Sequence, residues 1–174
     1  EILAQAALSA GFQEIRRLEA LLSTWIETSE LSMVNAAAGQ EPVGVSEETF
    51  ALLKQALDVA DYTEGGFNIA IGPATRLWNI PEAPRIPSDM ELEIAAQYVD
   101  YHDIHLNPTR RTVFLEKPGM KIDVGGIGKG FAAEKAAAVM REVGATGGLV
   151  AVSGDFRVFG KRADGTAWPV GIRH

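Results

Sequence analysis

The sequence contains no cysteine among its 174 residues, which excludes disulfide bonds, cysteine-ligated metals and thiol catalysis. It also lacks a recognisable signal peptide and any apolar run long enough to cross a bilayer. Acidic residues outnumber basic ones, 23 to 16, which gives a net charge of −7. The basic residues form no run along the sequence. This balance argues against binding to nucleic acid or to an anionic membrane. The chain is nevertheless 47% hydrophobic and long enough to bury the core of one domain.

The most distinctive segment that is present reads KIDVGGIGKGF and runs from Lys121 to Phe131. A short apolar strand is predicted to end at Asp123, and an alanine-rich helix is predicted after the glycines. Glycines let a backbone approach a ligand closely, and a helix N-terminus favours an anion. The segment therefore predicts a phosphate-bearing ligand near Lys129, with Asp123 fixing a polar edge or a metal. A glycine-rich turn that only packs a strand against a helix is the alternative, and spacing alone leaves both open.

Two familiar nucleotide-binding motifs do not fit this segment. A P-loop requires Ser or Thr after its lysine, whereas Gly130 follows Lys129. The dinucleotide pattern GxGxxG requires a final glycine at the position of Phe131, after Gly126 and Gly128. A nucleotide site built on this segment is therefore of another type.

Hydrophobic periodicity and capping residues predict four helices. Ser46 caps the second helix, which ends near Gly65-Gly66, and Ser88 with Glu91 forms a capping box for the third. The remaining limits are Ile2–Leu22 for the first helix, about Tyr98 for the end of the third, and Phe131–Val143 for the fourth. The polar residues Trp25–Asn35 are predicted to be non-helical, followed by a loop over Ala36–Val45. The apolar run Phe67–Ile71 is predicted to break at Gly72-Pro73.

Alternating apolar residues and turn signals predict five further strands. An Asp-Gly pair at Asp164-Gly165 predicts a hairpin between the last two. Because helices are mixed with adjacent hairpins, the predicted fold class is α+β rather than a doubly wound sheet. The five strands are Ile104–Leu106, Thr112–Leu115, Leu149–Val152, Phe156–Phe159 and Trp168–Ile172.

Three motifs, in this order along the chain, resemble those of the ApbE family of flavin transferases, the FAD:protein FMN transferases. The first family motif is S-E-[IL]-S-x-[LV]-N, and the matching residues are Ser29, Glu30, Leu31, Ser32, Val34 and Asn35. The second is G-x-F-[DN]-[IP]-x-x-G-P followed by Leu-Trp, and the matching residues are Gly65, Phe67, Asn68, Ile69, Gly72, Pro73, Leu77 and Trp78. The third, [IL]-D-[LV]-G-[GS]-[IV]-x-K-G-[YF]-[AG], is matched from Ile122 to Ala132. Three ordered motifs are far more specific than one.

The sequence departs from the family pattern in two places. The usual N-x-G-G-[DN] becomes Ala151-Val152-Ser153-Gly154-Asp155, which puts close backbone packing at Ser153 in doubt. Family members also continue into a second part that supplies a late Asp…Thr metal-binding pair. The resemblance therefore implies that residues 1–174 are the N-terminal part of a single ApbE-like, T-fold-like domain, with catalytic residues expected beyond residue 174. Weak or no turnover is expected from residues 1–174 alone.

The resemblance implies an activity, its cofactors and its partner. Members transfer FMN from FAD to a threonine hydroxyl of a target protein, with release of AMP. This is phosphoryl transfer, for which Mg²⁺ is the expected cation. The expected partners are thus FAD and a protein carrying the acceptor threonine, with neither nucleic acid nor a membrane span in this chain.

The resemblance also implies which residues contact FAD or the metal ion. Asp123 and Lys129 are expected to contact FAD, and the backbone carbonyl of Gly126 is expected to be one metal ligand. Trp25 is expected to stack on the isoalloxazine ring. Three further residues are expected to line the dinucleotide: Gly66, Phe67 and Asn68.

Two other functions remain open from the sequence. One is a non-catalytic module that holds FAD, and the other is an FAD pyrophosphatase in which water replaces threonine and FMN and AMP are released. The histidines His102, His105 and His174 are not expected to bind metal. A periplasmic or cell-envelope location, with a lipid anchor in the full-length protein, is expected from the resemblance only.

Overall fold

A computed structural model describes residues 1–80 and 82–171 of the protein. The chain divides into two compact units. The terminal unit combines residues 1–19 with residues from 127 onward, and the central unit comprises residues 20–126. In chain order the elements are α1 (Ile2–Leu22), α2 (Glu30–Ala36), β1 (Val43–Gly44), α3 (Glu47–Tyr62), a 3₁₀ turn (Ile69–Ile71), α4 (Gly72–Leu77), α5 (Asp89–Ala96), a second 3₁₀ turn (Tyr101–Asp103), β2 (Ile104–Asn107), β3 (Thr112–Leu115), α6 (Gly128–Glu142), β4 (Gly147–Val152) and β5 (Asp155–Gly160).

The fold class is α+β, as predicted. The central unit contains a three-stranded sheet in the order β1-β3-β2, and the terminal unit contains the hairpin β4-β5. Every strand pair is antiparallel. In β2 and β3 the register pairs Ile104 with Leu115, and both side chains are buried. The predicted hairpin around Pro108 is thereby confirmed.

The core of the terminal unit lies between helix α6 and the β4-β5 hairpin. Alanines on one face of α6 let the helix approach the sheet closely, and Met140 fills the remaining space beside Phe159. A Cβ atom at Gly148 would come within 2.9 Å of the Phe159 ring, so this strand position requires glycine. The buried members of this core are Ala7, Ala133, Ala136, Ala137, Met140, Val150 and Phe159.

Ser153 and Gly154 form the two-residue turn between β4 and β5. Both have positive φ, 47° and 101°, and Val152 pairs with Asp155 across the turn. Two positive φ angles are the requirement of the type I′ turns that join twisted strands. A Cβ at Gly154 would meet no atom within 4 Å, so no neighbouring atom packs closely against this side of Gly154. The departure from the family motif is therefore accommodated as a hairpin turn.

The predicted strand over Trp168–Ile172 is wrong for the residues that the structure describes. Residues 161–171 contain no strand, and Ile172 lies outside the described residues. The predicted Asp-Gly turn does form, because the Asp164 carboxylate accepts hydrogen bonds from the amide and the hydroxyl of Thr166. The Asp-Gly turn is therefore not followed by a strand in residues 166–171.

Two helices of the central unit follow their predicted caps. Ser46 accepts a hydrogen bond from the Thr49 amide at the start of α3. Ser88 and Glu91 form the complete capping box of α5, which ends at Ala96, two residues before the predicted limit. None of the helices in the described ranges is sufficiently long and apolar to span a membrane.

Two short helices of the central unit contradict the sequence prediction. The first, α2, occupies much of the segment that was predicted to be non-helical. The second, α4, begins at Gly72-Pro73, where a break was predicted. Proline fits the first turn of a helix because its missing N–H would have no partner there. The dipeptide therefore starts a helix instead of ending a strand.

Candidate functional site

The central unit contains a cavity of about 870 Å³. This volume falls within the range of about 300–1,000 Å³ that is usual for sites of small molecules and cofactors. Its lining comes from the segment before α2, from α2, from α4 and the residues after it, and from the start of the KIDVGG segment. The lining residues are Thr24, Trp25, Glu27, Ser32, Asn35, Ala36, Thr75, Arg76, Asn79, Ile80, Lys121 and Asp123.

Trp25 lies on the wall of this cavity with 72% of its surface exposed. The turn that carries it is held by Ser23, whose hydroxyl accepts from the Trp25 amide at 3.3 Å. The Ser23 carbonyl in turn accepts from the Ser29 hydroxyl at 2.6 Å. An exposed indole on a fixed turn offers a flat apolar face on which an aromatic ligand can stack.

Helix α2 explains the S-E-L-S-x-V-N motif residue by residue. Ser29 is its N-cap and accepts from the Ser32 amide at 3.0 Å. The Glu30 carboxylate accepts from the amide and the hydroxyl of Ser46, so it fixes the start of α3 beside α2. Leu31 and Val34 are buried. Most of the motif therefore has a structural role in shaping the cavity wall.

Asn35, the last residue of the motif, is 6% exposed and binds the backbone of Ile122 in both directions. Its amide nitrogen donates to the Ile122 carbonyl at 3.0 Å, and its oxygen accepts from the Ile122 amide at 2.6 Å. A side-chain amide satisfies both backbone groups, as a neighbouring strand would. The first and third motifs are thereby joined in one wall.

Asp123 lies on the cavity wall with both carboxylate oxygens engaged. Oδ1 accepts from the Gly125 amide at 2.8 Å, and Oδ2 accepts from the Thr75 hydroxyl at 3.1 Å. The predicted strand before it is wrong, because residues 121–124 form no strand. Their backbone binds Asn35, Gly72 and Ile69 instead of a second strand, with Asp123 N donating to Ile69 O at 2.8 Å.

Arg76 and Lys121 also line the cavity, and neither was identified from the sequence. Burial lowers the pKa of the Lys121 ammonium, and the nearby positive charge of Arg76 lowers it further. Arg76 lies inside the second motif and Lys121 directly before the third. The available signal was their position, one inside and one directly before motifs that meet at one site.

The cavity lining given above does not include Gly66, Phe67 or Asn68. Phe67 and Asn68 make other contacts within the central unit. Asn68 caps the 3₁₀ turn by accepting from the Ala70 amide at 2.9 Å. A Cβ atom on Gly126 would lie 3.0 Å from the Phe67 ring, so the ring packs against the glycine turn. The prediction that these three residues line a dinucleotide stays a prediction.

Gly126 and Lys129 occupy different units. Gly126 ends the central unit, and within the described ranges no donor is bonded to its carbonyl oxygen. Lys129 lies in the first turn of α6 in the terminal unit, where its ammonium is 3.2 Å from the Asp155 carboxylate. Both binding roles remain predictions.

Two of the histidines, His102 and His105, each pair with a single carboxylate. His102 contacts Asp100 and His105 contacts Glu116, each at 2.8 Å. Across the part of the chain that the structure describes, no three His, Cys, Asp or Glu side chains cluster to hold a metal ion. His174 lies outside the described residues.

Comparison with known proteins relates this fold to a family. The sequence profile of the ApbE family matches residues 1–174. The chain is 30% identical to an FAD:protein FMN transferase of Klebsiella pneumoniae, with 97% of the chain and 52% of that protein aligned. It is 33% identical to the enzyme of the same name in Treponema pallidum, with 97% of the chain and 50% of that protein aligned. The chain thus spans about half the length of these curated relatives.

Solved structures show the same relationship. The flavin transferase ApbE from Vibrio cholerae superposes with a TM-score of 0.89 at 26% identity, covering 97% of this chain and 55% of that one. The ApbE protein of Thermotoga maritima superposes with a TM-score of 0.85 at 30% identity, covering 91% of this chain and 52% of that one. The profile match over the whole chain, together with these neighbours, shows that the chain belongs to the ApbE family.

Proposed function

We propose that the full protein transfers FMN from FAD to a threonine hydroxyl of an acceptor protein, with Mg²⁺ as cofactor and AMP as the second product. The observation that carries the proposal is the cavity in which Trp25 and Asp123 lie together, although they are far apart in sequence. The names of the curated relatives support flavin transfer to a protein.

In this reaction a bond forms between the threonine Oγ and the phosphorus of the FMN moiety. The bond from that phosphorus to the bridging oxygen of the pyrophosphate breaks, and AMP leaves with that oxygen. The threonine proton is released to a base or to water. Such a transfer requires accurate positioning and neutralisation of phosphate charge, with little covalent work by the protein.

The residues of the cavity suit the positioning of a flavin. The exposed Trp25 indole stacks on the isoalloxazine ring in this proposal, and burying that area contributes binding energy. The Asp123 carboxylate is already oriented by Gly125 and Thr75, so it can accept a hydrogen bond from the ligand without first being ordered.

The oxygen donors near the glycine turn fit a magnesium ion. Mg²⁺ prefers hard oxygen ligands and usually completes its shell with water and substrate phosphate. The Gly126 carbonyl oxygen, with no donor bonded to it within the described ranges, is one such ligand. When bound, the ion neutralises charge on the pyrophosphate. The remaining protein ligands are proposed to come from the second part of the family's domain.

The intact mass of an acceptor protein, after incubation with the full-length protein, FAD and Mg²⁺, tests this function. The proposal predicts a mass increase equal to one FMN on threonine and an equal amount of AMP. An unmodified acceptor with free FMN and AMP would instead identify a pyrophosphatase, and bound but intact FAD would identify a binding module. Omission of Mg²⁺ is expected to abolish the mass increase.

A pair of aromatic variants localises the flavin. Trp25→Leu removes the indole from the cavity wall and is expected to weaken FAD binding and lower transfer. Tyr62→Leu is the matched control, because Tyr62 is an aromatic residue of the same unit, 89% exposed, that does not line the cavity. Equal loss in both variants would contradict the assigned position of the flavin.

We also propose that the full-length protein works in the periplasm or at the cell envelope and is lipid-anchored there. This proposal rests on the family resemblance alone. Fractionation of cells that express the full-length gene tests it, with a soluble cytoplasmic pool as the contradicting result.

A further inference from the structure

Two cations of the cavity wall, Arg76 and Lys121, have no carboxylate partner among the described residues. Lys54, Arg85 and Lys117 each form an ion pair with a carboxylate at 2.5–2.7 Å. Within residues 1–80 and 82–171, Arg76 and Lys121 form no ion pair, and their side chains make no hydrogen bond. Both nevertheless face the same cavity as Trp25.

The two cations differ in accessibility, since Arg76 is exposed and Lys121 is half-buried. Lys121 is only partly exposed, and both burial and the charge of Arg76 lower the pKa of its ammonium. Two like charges repel each other, and each disfavours the charged form of the other. A bound anion would remove this repulsion and would satisfy the donors of both side chains.

The carboxylates of the cavity wall do not supply that anion. Asp123 directs its two oxygens to the Gly125 amide and the Thr75 hydroxyl, and Glu27 forms no ion pair with either cation. The chemistry of the two donors fits phosphate oxygens. A guanidinium offers a planar pair of N–H groups for two oxygens, and an ammonium offers a compact charge.

We propose that Arg76 and Lys121 bind the phosphate groups of the flavin nucleotide and thereby select FAD and FMN over riboflavin. The inference rests on the proposed function, since it assumes that a flavin occupies this cavity. It assigns the two cations to phosphate selection, while Trp25 supplies a contact that all three flavins share.

Fluorescence titrations with FAD, FMN and riboflavin, without Mg²⁺, test the pair in wild type, Arg76→Gln and Lys121→Gln. Each variant is expected to weaken FAD and FMN binding by about 10- to 100-fold, since a hydrogen bond to a charged group contributes about 1.5–3 kcal/mol. Riboflavin affinity is expected to stay within about twofold, a change of under about 0.5 kcal/mol. Lys54→Gln, which removes a cation of the same unit outside the cavity, is expected to change none of the three affinities.

A second measurement needs no variant. Inorganic pyrophosphate is expected to compete with FAD on the wild-type protein and to leave riboflavin binding unchanged. Equal losses for FAD and riboflavin in the variants, or unchanged FAD affinity, would overturn the inference while leaving flavin binding intact. Failure of the wild-type protein to bind any flavin would overturn the proposed function and this inference together.

Discussion

Asn35 and Ile122 form a reciprocal hydrogen-bond pair that joins the first and third motifs of the chain. The side-chain amide donates to the Ile122 carbonyl at 3.0 Å and accepts from the Ile122 amide at 2.6 Å. Asp123, the next residue, then lies on the wall of the cavity that the exposed Trp25 also lines. The position of the carboxylate thus depends on an asparagine from α2.

Replacement of Asn35 by alanine is expected to destabilise the protein by about 2–5 kcal/mol. Two buried backbone groups of Ile122 would lose their partners, and each unsatisfied group costs about 1–3 kcal/mol. Urea unfolding measures the difference in the free energy of unfolding. Gln40→Ala is the control, because the exposed Gln40 amide bonds only its own helix end. Equal stability of Asn35→Ala and wild type would contradict the assigned role.

Gly72 is expected to tolerate no side chain. A Cβ atom there would lie 2.6 Å from the Lys121 carbonyl oxygen, to which the Gly72 amide also donates at 3.2 Å. Gly72→Ala should therefore destabilise the protein by at least about 2 kcal/mol and displace the segment that carries Asp123. Thermal unfolding and FAD affinity measure the two effects. Gly44→Ala should be neutral or slightly stabilising, since no atom lies within 4 Å of the added carbon.

Thr75 is expected to act as a positioning residue for Asp123. Its hydroxyl donates to Oδ2 at 3.1 Å. Thr75→Val keeps the shape but removes the donor, so FAD affinity should fall by about 2- to 10-fold, which corresponds to one hydrogen bond of about 0.5–1.5 kcal/mol. Thr75→Ser keeps the hydroxyl and should restore the affinity. A serine variant as weak as the valine variant would show that the methyl group, not the hydroxyl, matters.

Glu91 sets a pH dependence in the capping box of α5. Its hydrogen bonds to Arg85, and then those from Ser88, lower its pKa from 4.5 to about 2. Because the folded-state pKa is depressed, its stabilising contribution is fully present above pH 4.5 and disappears as the pH falls towards 2. Carboxyl NMR titration should show Glu91 titrating near 2 in the wild type and at a higher pH in Arg85→Gln. A wild-type value near 4.5 would contradict the capping network.

The elements that the sequence predicted correctly are those with local signals. The α3 and α5 helices have serine caps, and the hairpin of β2 and β3 has alternating apolar residues beside a turn. The contacts that stabilise these elements join residues that are close together in the sequence. Local sequence patterns therefore predict them.

The elements that were missed depend on contacts between distant residues. Seven residues are too few for α2 to show helical periodicity, and its polar side chains bind Ser46 and Ile122. Residues 121–124 have the composition of a strand, but their backbone forms hydrogen bonds with Asn35 and Gly72 instead of with a second strand. The family resemblance implied that Trp25 and Asp123 both contact FAD, and the structure places both on one cavity wall. Arg76 and Lys121 were not identified from the sequence, although they lie in and next to two of the motifs.

Backbone and indole NMR shifts during an FAD titration show whether flavin binds in the Trp25–Asp123 cavity. If it does, the largest shifts are expected at Trp25, Ser32, Thr75, Lys121 and Asp123. A second cavity of the central unit, about 470 Å³ and lined in part by His105, Arg110 and Phe114, provides the internal comparison. Shifts confined to that second cavity, or no shifts at saturating FAD, would show that flavin does not bind in the Trp25–Asp123 cavity.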